Sequence, residues 1–218
     1  MAAKKIAVVL SGCGYKDGSE ITEAVSALIS LGQHGAQYQC FAPDLEADAT
    51  HHLDDSSLPP RNLLTESARI CRGEIQKIDA LKATDFDGLL LPGGFGAALH
   101  LSDWAHKGSS AQVLPQMQSL ISDFYDQQKP IGAMCIAPTL VAKVLGSHGV
   151  AVTIGNDPAT AKEIEKTGAQ HETCEVDDYI TDREHRVITT PAYMYGEAPA
   201  HKVFKGISGM VSELVEMA

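Results

Sequence analysis

Four segments carry side chains able to do chemistry, and each sits where an apolar run meets glycine or proline. The first is 130–138, Pro-Ile-Gly-Ala-Met-Cys-Ile-Ala-Pro. An apolar strand that ends at Cys135, with a helix opening by Pro138, is the sequence form of an elbow that lifts a nucleophile off a sheet edge. Pro138 suits the first helical turn, where its missing N–H costs nothing. A thiol at a helix N-terminus faces the positive end of the peptide dipoles, so its pKa should fall. The N–H of Ile136 is then free to hold an oxyanion. Cys135 fits a small packed core position equally well, a common place for free cysteine, and the segment alone does not choose.

The second segment is Leu91-Pro92-Gly93-Gly94-Phe95-Gly96-Ala97. Glycines after a strand let the backbone approach a ligand and point N–H groups at it, so Gly94 is a natural second oxyanion donor, with Gly93 and Phe95 at the pocket wall. The spacing is neither the dinucleotide nor the phosphate-loop fingerprint. The third, 11–20, places Gly12 and Cys13 at the end of the first apolar run and Glu20 at a helix start. Asp17, three residues before Glu20, fits a capping box; the alternative aims the Glu20 carboxyl at Cys135. The fourth ends a strand in Thr189-Thr190-Pro191 and lines the same pocket with Thr190 and Pro191. His51-His52-Leu53-Asp54-Asp55 has metal-friendly types, but it lies in a polar stretch and reads as a solvated loop rather than a metal site.

These segments need a scaffold that gathers them. Near-continuous apolar runs at 6–10, 37–41, 86–91, 130–134 and 150–154 read as strands, with short strands at 172–176, 179–181 and 187–190. Helical patterns fall at 20–34, with Ile21, Val25, Leu28 and Ile29 on one face, and at 62–71, 112–127, 138–145, 158–167 and 198–217. Residues 43–60 read as a surface loop and 172–190 as an antiparallel hairpin insertion. Strands alternating with helices predict an α/β fold, a doubly wound and mostly parallel sheet covered on both faces. No linker, repeat or low-complexity run divides the chain, so residues 1–218 read as one domain. Ligands of such sheets bind beyond the carboxyl ends of the strands, the edge where all four segments fall.

Composition narrows the function. The chain has 218 residues, 28 acidic against 17 basic, and a net charge of −11. That balance argues against coating nucleic acid, which needs clustered Lys and Arg, and against anionic membrane surfaces. No apolar run reaches the ~20 residues of a membrane span, and 6–10 is too short for a signal-peptide core. Five cysteines, an odd number with no CxxC pair, suggest a reducing compartment rather than a disulfide framework or a structural zinc site.

Taken together and in order, the segments resemble the ElbB-type proteins of the PfpI/ThiJ superfamily, also described as class I glutamine-amidotransferase-like. The matching stretches include 10–20, 41–44, 61–70, 92–98, 134–138 and 189–194. The resemblance implies a flavodoxin-like sandwich with Cys135 at the elbow. It implies Glu20 as the acid facing the thiol, protonated and donating to a thiolate, and the amides of Gly94 and Ile136 as oxyanion donors. Two departures from the wider superfamily, and one within the ElbB group, set limits. Class I amidotransferases use a G-x-C-x-G elbow and a late His-Pro-Glu; here Ala133 and Ala137 flank the cysteine and Thr190-Pro191-Ala192 lacks the base. Many superfamily members have His directly after the nucleophile, where Ile136 stands. Within the ElbB group, Leu99-His100 replaces the usual Lys-Asn, a change expected to alter the pocket rim or the substrate preference.

The resemblance implies a cofactor-independent glyoxalase acting on glyoxal or a related small 2-oxoaldehyde through a cysteine hemithioacetal, with no metal, a small aldehyde as its only ligand, and a homodimeric assembly. Two other readings remain at this point: a redox-sensing thiol that is oxidised rather than turned over, and a relict amidotransferase subunit. The expected compartment is the cytoplasm, with the mitochondrial matrix open because animal relatives are found there.

Overall fold

The computed structural model describes residues 3–218. Its centre is a seven-stranded sheet. The chain begins with β1 (Lys5–Val9), crosses through α1 (Ile21–Gln33) to β2 (Gln37–Ala42), makes a two-stranded hairpin of β3 (Glu46–Thr50) and β4 (Ser57–Asn62), and passes α2 (Leu63–Ser67) to edge strand β5 (Ile75–Lys77). It then returns to the middle as β6 (Gly88–Leu91), followed by the short helices α3 (Phe95–Leu99) and α4 (Trp104–Lys107), α5 (Pro115–Asp126), β7 (Ile131–Met134) and α6 (Pro138–Leu145). Next come β8 (Ala151–Val152), α7 (Pro158–Glu165), β9 (Gln170–His171), β10 (Ile180–Asp182), β11 (Val187–Thr190) and the closing α8 (Ala200–Met217).

The sheet order is β10-β11-β7-β6-β1-β2-β5, parallel throughout except for β10 against β11. The chain runs from β1 to one edge, then restarts at β6 and runs to the other. The β1–β6 seam is therefore the topological switch point, where doubly wound sheets place their ligands. Strand alternation sorts the core into two layers. Ile6, Val8 and Leu10 face Ala24, Ala27 and Leu31 of α1 and Val203, Ile207 and Leu214 of α8. Ala7, Val9, Leu89 and Leu91 face Met117 and Phe124 of α5 and Leu140 and Val141 of α6.

The expected α/β architecture is present, with local corrections. Residues 43–60 are not a plain loop: Glu46–Thr50 and Ser57–Asn62 pair antiparallel around a bulge at Ala47/Ala49, despite Pro59 and Pro60, which an edge ribbon tolerates. The 172–190 insertion is smaller than predicted. Only Ile180–Asp182 pairs with β11, 172–176 forms no strand, and β8 pairs in parallel with β9 as a separate ribbon. Helix α5 starts at Pro115 rather than 112, since Val113 bridges back to Ser102.

The largest surprise is the roll of α1. Its Ile21, Val25 and Ile29 are 48%, 38% and 50% exposed, while Glu23, Ala24, Ser26, Ala27, Ser30 and Leu31 are buried. Small residues let α1 lie close against α8 and the sheet, and that close approach wins over the louder branched-aliphatic stripe.

Candidate active site

Cys135 follows directly on β7 with φ +59°, a left-handed conformation that a non-glycine residue adopts only under constraint. The constraint is visible on both sides. Its N–H donates to the Thr190 carbonyl on β11 at 3.0 Å, and the Ala137 N–H donates to the Met134 carbonyl at 3.0 Å, closing a tight turn into α6. Only 7% of Cys135 is exposed.

The loop after β1 and the loop after β6 are stitched together beside it. Phe95 N–H donates to Tyr15 O at 2.7 Å, Gly96 N–H to Gly18 O at 3.0 Å, and Glu20 N–H to Gly93 O at 2.9 Å. Gly94 has φ +94°, and a Cβ there would lie 2.3 Å from Gly18 O and 2.4 Å from the Glu20 nitrogen, so no other residue fits the seam. The seam directs the Gly94 N–H at the Cys135 sulfur, and the Ile136 N–H joins it there.

The carboxyl that meets this sulfur belongs to Glu23, not to Glu20. Glu23 lies on the buried face of α1 with no solvent exposure. Its Oε2 accepts the Gly93 N–H at 3.0 Å and its Oε1 the Tyr193 N–H at 3.1 Å. Burial first, and the charge of Glu20 second, push its pKa up to about 8. At neutral pH it therefore holds a proton, and with both oxygens already accepting backbone N–H groups, that proton is directed toward the sulfur. The Cys135 thiol is also raised, well above its ordinary value, chiefly by burial and then by the charge of Glu23; the Gly94 and Ile136 amides pull the other way. The fall predicted from the helix N-terminus is thus overturned, because desolvation outweighs two peptide dipoles. Glu20 takes a different place. It is the N-cap of α1, its Oε2 accepting the Glu23 N–H at 2.7 Å, and burial raises its pKa as well.

Above the thiol opens a cavity of about 690 Å³ lined by Cys135, Ile136, Gly94, Glu20 and the rings of Tyr15, Phe95 and Tyr193, with Met194, Thr160, Gly196 and Glu197 completing it. Of the predicted site, Cys135, Ile136, Gly94, Glu20 and Phe95 converge on this space. Gly93 lies one layer beneath, holding Glu23. Gly12 and Cys13 do not reach it: they face a narrow crevice with Asp17, Asp48, Arg61 and Glu66. Thr190 and Pro191 are buried behind the elbow, the Thr190 hydroxyl donating to Asp178 O at 2.7 Å. His100 is not at the rim; its Nε2 bonds the Asp17 carbonyl at 3.0 Å and braces the loop after β1. His52 sits edge-on to Tyr15, 5.4 Å between ring centres.

Sequence reasoning missed Glu23, Tyr193 and Glu197. A signal for Glu23 existed: it is the one carboxyl within a run of small residues, Ala24, Ser26, Ala27 and Ser30, on a single helix face.

No protein-family model matches the chain. It is 41% identical over 229 residues to a human glutamine amidotransferase-like class 1 domain-containing protein 3, mitochondrial, covering 99% of this chain and 84% of that protein. It is 39% identical to a rat ES1 protein homolog, mitochondrial, covering 98% and 84%. Among solved structures, an Ehrlichia chaffeensis isoprenoid biosynthesis protein with an amidotransferase-like domain superposes with a TM-score of 0.90 at 36% identity, covering 97% and 99% of the two chains. Drosophila melanogaster DJ-1beta shares the fold, with a TM-score of 0.54 at 19% identity over 99% and 97%.

Proposed function

Because the chain belongs to the family of the ES1 and glutamine amidotransferase-like class 1 domain-containing proteins, we propose that it is a cofactor-independent glyoxalase that converts glyoxal, or a related small 2-oxoaldehyde, to a 2-hydroxy acid. The observation that carries this reading is the convergence of one protonated carboxyl, Glu23, and two amides, Gly94 and Ile136, on a sulfur that opens into a cavity.

The chemistry follows from those positions. The Cys135 sulfur adds to one aldehyde carbon, and the proton held between sulfur and Glu23 passes to the carbonyl oxygen, giving a hemithioacetal. The two amides stabilise the oxygen as it gains charge. Glu20, the carboxyl that faces the cavity, removes the hydrogen from that carbon and returns a proton to its neighbour through an enediol. Its raised pKa suits it to both halves of that transfer. The product is a thioester of a hydroxy acid. Water cleaves it, restoring the thiol and releasing glycolate from glyoxal.

Glutamine hydrolysis is a poor fit, because no histidine lines the cavity among the described residues and Thr190-Pro191-Ala192 stands where that chemistry keeps its base. The sensor alternative uses the same thiol, and multiple turnovers rather than a single oxidation of Cys135 separate the two readings. The relatives are named as mitochondrial, which favours the mitochondrion over the cytoplasm as the working compartment. A homodimer remains part of the proposal and is tested by sedimentation velocity, where a monomer across micromolar concentrations would remove it.

The deciding experiment measures glycolate formed from glyoxal without glutathione or metal. The wild type should turn over many times, and Cys135→Ala should lose at least 1,000-fold, on the order expected for removing a covalent nucleophile. Equal activity in the two proteins would overturn the mechanism.

A further inference from the structure

The cavity is large for a two-carbon dialdehyde. Its volume of about 690 Å³ lies in the range that holds drug-sized ligands, so a tail attached to the reacting carbonyl has room. Its walls describe that tail. The charged side chains that line it are Glu20 and Glu197, and no Lys, Arg or His joins them among the described residues. Among the described residues Glu197 makes no ion pair either. Three aromatic residues, Tyr15, Phe95 and Tyr193, line the same space as the two carboxyls; Tyr15, Phe95 and Glu197 are solvent-exposed. A cation between carboxylates and ring faces gains from both, and an anion loses from both.

The neighbouring space does not offset this charge. Beyond Phe95, Ile136 and Thr160 a second cavity of about 460 Å³ carries His106 and Lys107, but it also carries Glu163. Lys107 is already paired with Asp103.

We infer that the site selects carbonyl compounds bearing a positively charged group, an amine or a guanidinium, over anions of the same size, with Glu197 as the specificity-determining residue. This rests on the reading that Cys135 adds to carbonyl carbon, and it goes further by naming the class of tail.

The test reads the field at the sulfur directly and needs no turnover. Cys135 is modified with two methanethiosulfonates of matched size, one carrying a trimethylammonium group and one a sulfonate. In each, the thiolate attacks the reagent's sulfenyl sulfur, a mixed disulfide forms and methanesulfinate leaves. Rates are taken by peptide mass at Cys135 and divided by each reagent's rate with free cysteine. Iodoacetamide against iodoacetate compares a neutral head with an anion of nearly the same size.

The wild type should favour the cation at least tenfold at low salt, and the preference should shrink as salt screens it. Glu197→Gln should reduce it and Glu197→Lys should abolish or reverse it. Glu74→Gln, which removes one charge near the opposite end of the sheet, should leave the ratio unchanged. Equal normalised rates in the wild type, or a ratio that survives Glu197→Lys, would overturn the inference. Glyoxal turnover without charge preference sinks this inference and leaves the glyoxalase reading intact; charge preference without turnover does the reverse.

Discussion

The carboxyl of Glu23 and the thiol of Cys135 face each other across a glycine that has no room for a side chain. A Cβ on Gly93 would lie 2.3 Å from the Cys135 Cβ and 2.6 Å from Glu23 Oε2. The two acids behave as a pair. A charged Glu23 raises the thiol, while the thiol as a donor eases the carboxylate, so the pair gives up its first proton far more readily than its second.

That pairing sets a pH dependence of stability. Glu23 is raised from 4.5 to about 8 in the folded protein. Its contribution is therefore fully present below its unfolded value near 4.5 and is lost as the pH rises through 8. The slope is at most about 1.4 kcal/mol per pH unit. Glu23→Gln removes the titration, but it sets an amide NH₂ against one of two backbone N–H donors, at a cost of about 1–3 kcal/mol. Urea unfolding should show the variant less stable than wild type near pH 5, with the gap closing or inverting by pH 9. A gap that stays constant with pH would show that Glu23 is ionised throughout.

The glycines of the seam give a sharper contrast. Gly94→Ala meets backbone atoms of Gly18 and Glu20 at 2.3–2.4 Å with φ +94° and should cost several kcal/mol. Gly196→Ala also lines the cavity, but its Cβ meets nothing within 4 Å and should fold like wild type. Thermal unfolding of the two variants checks this, and equal melting temperatures would contradict the seam.

How much of this could be read beforehand follows from what each signal measures. The elbow at Cys135 and the switch-point loops were legible because strand, glycine and proline signals are local and agree with one another. The identity of the carboxyl at the thiol was not. Glu20 has the stronger local signature, at a helix start after a glycine loop, and Glu23 has none until the roll of α1 is known. Periodicity reports that an amphipathic helix exists, but in α1 the branched residues turn outward and small ones turn in, because close helix–sheet approach is a tertiary effect. The fall in thiol pKa failed for a similar reason: helix position is visible in sequence and depth of burial is not.

The orientation of α1 makes its own prediction. Leu31 is fully buried against the β1 face of the core, so Leu31→Ala should cost about 2–5 kcal/mol. Ile21→Gln and Ile29→Gln, on the exposed stripe, should each fall within about 0.5 kcal/mol of wild type in the isolated chain. Denaturant midpoints separate the two cases. A large loss at Ile29 that depends on protein concentration would mean that a second chain covers the stripe.

Glu20 carries two jobs that substitution can pull apart. Its carboxyl caps α1 through the Glu23 N–H, and it faces the cavity beside Cys135. Serine is a better cap than glutamate and is too short to reach a ligand, whereas alanine does neither. Glu20→Ala should lose about 1 kcal/mol of stability and at least 100-fold in glyoxal turnover. Glu20→Ser should keep the stability and still lose the turnover, because proton transfer needs the carboxyl itself. Glu20 is also the second cause of the raised Glu23 pKa, so either substitution lets Glu23 ionise at lower pH. The pH at which Cys135 alkylation accelerates should shift in both variants alike. Turnover that tracks stability rather than the carboxyl would assign Glu20 to the cap alone and move the proton transfer to Glu23.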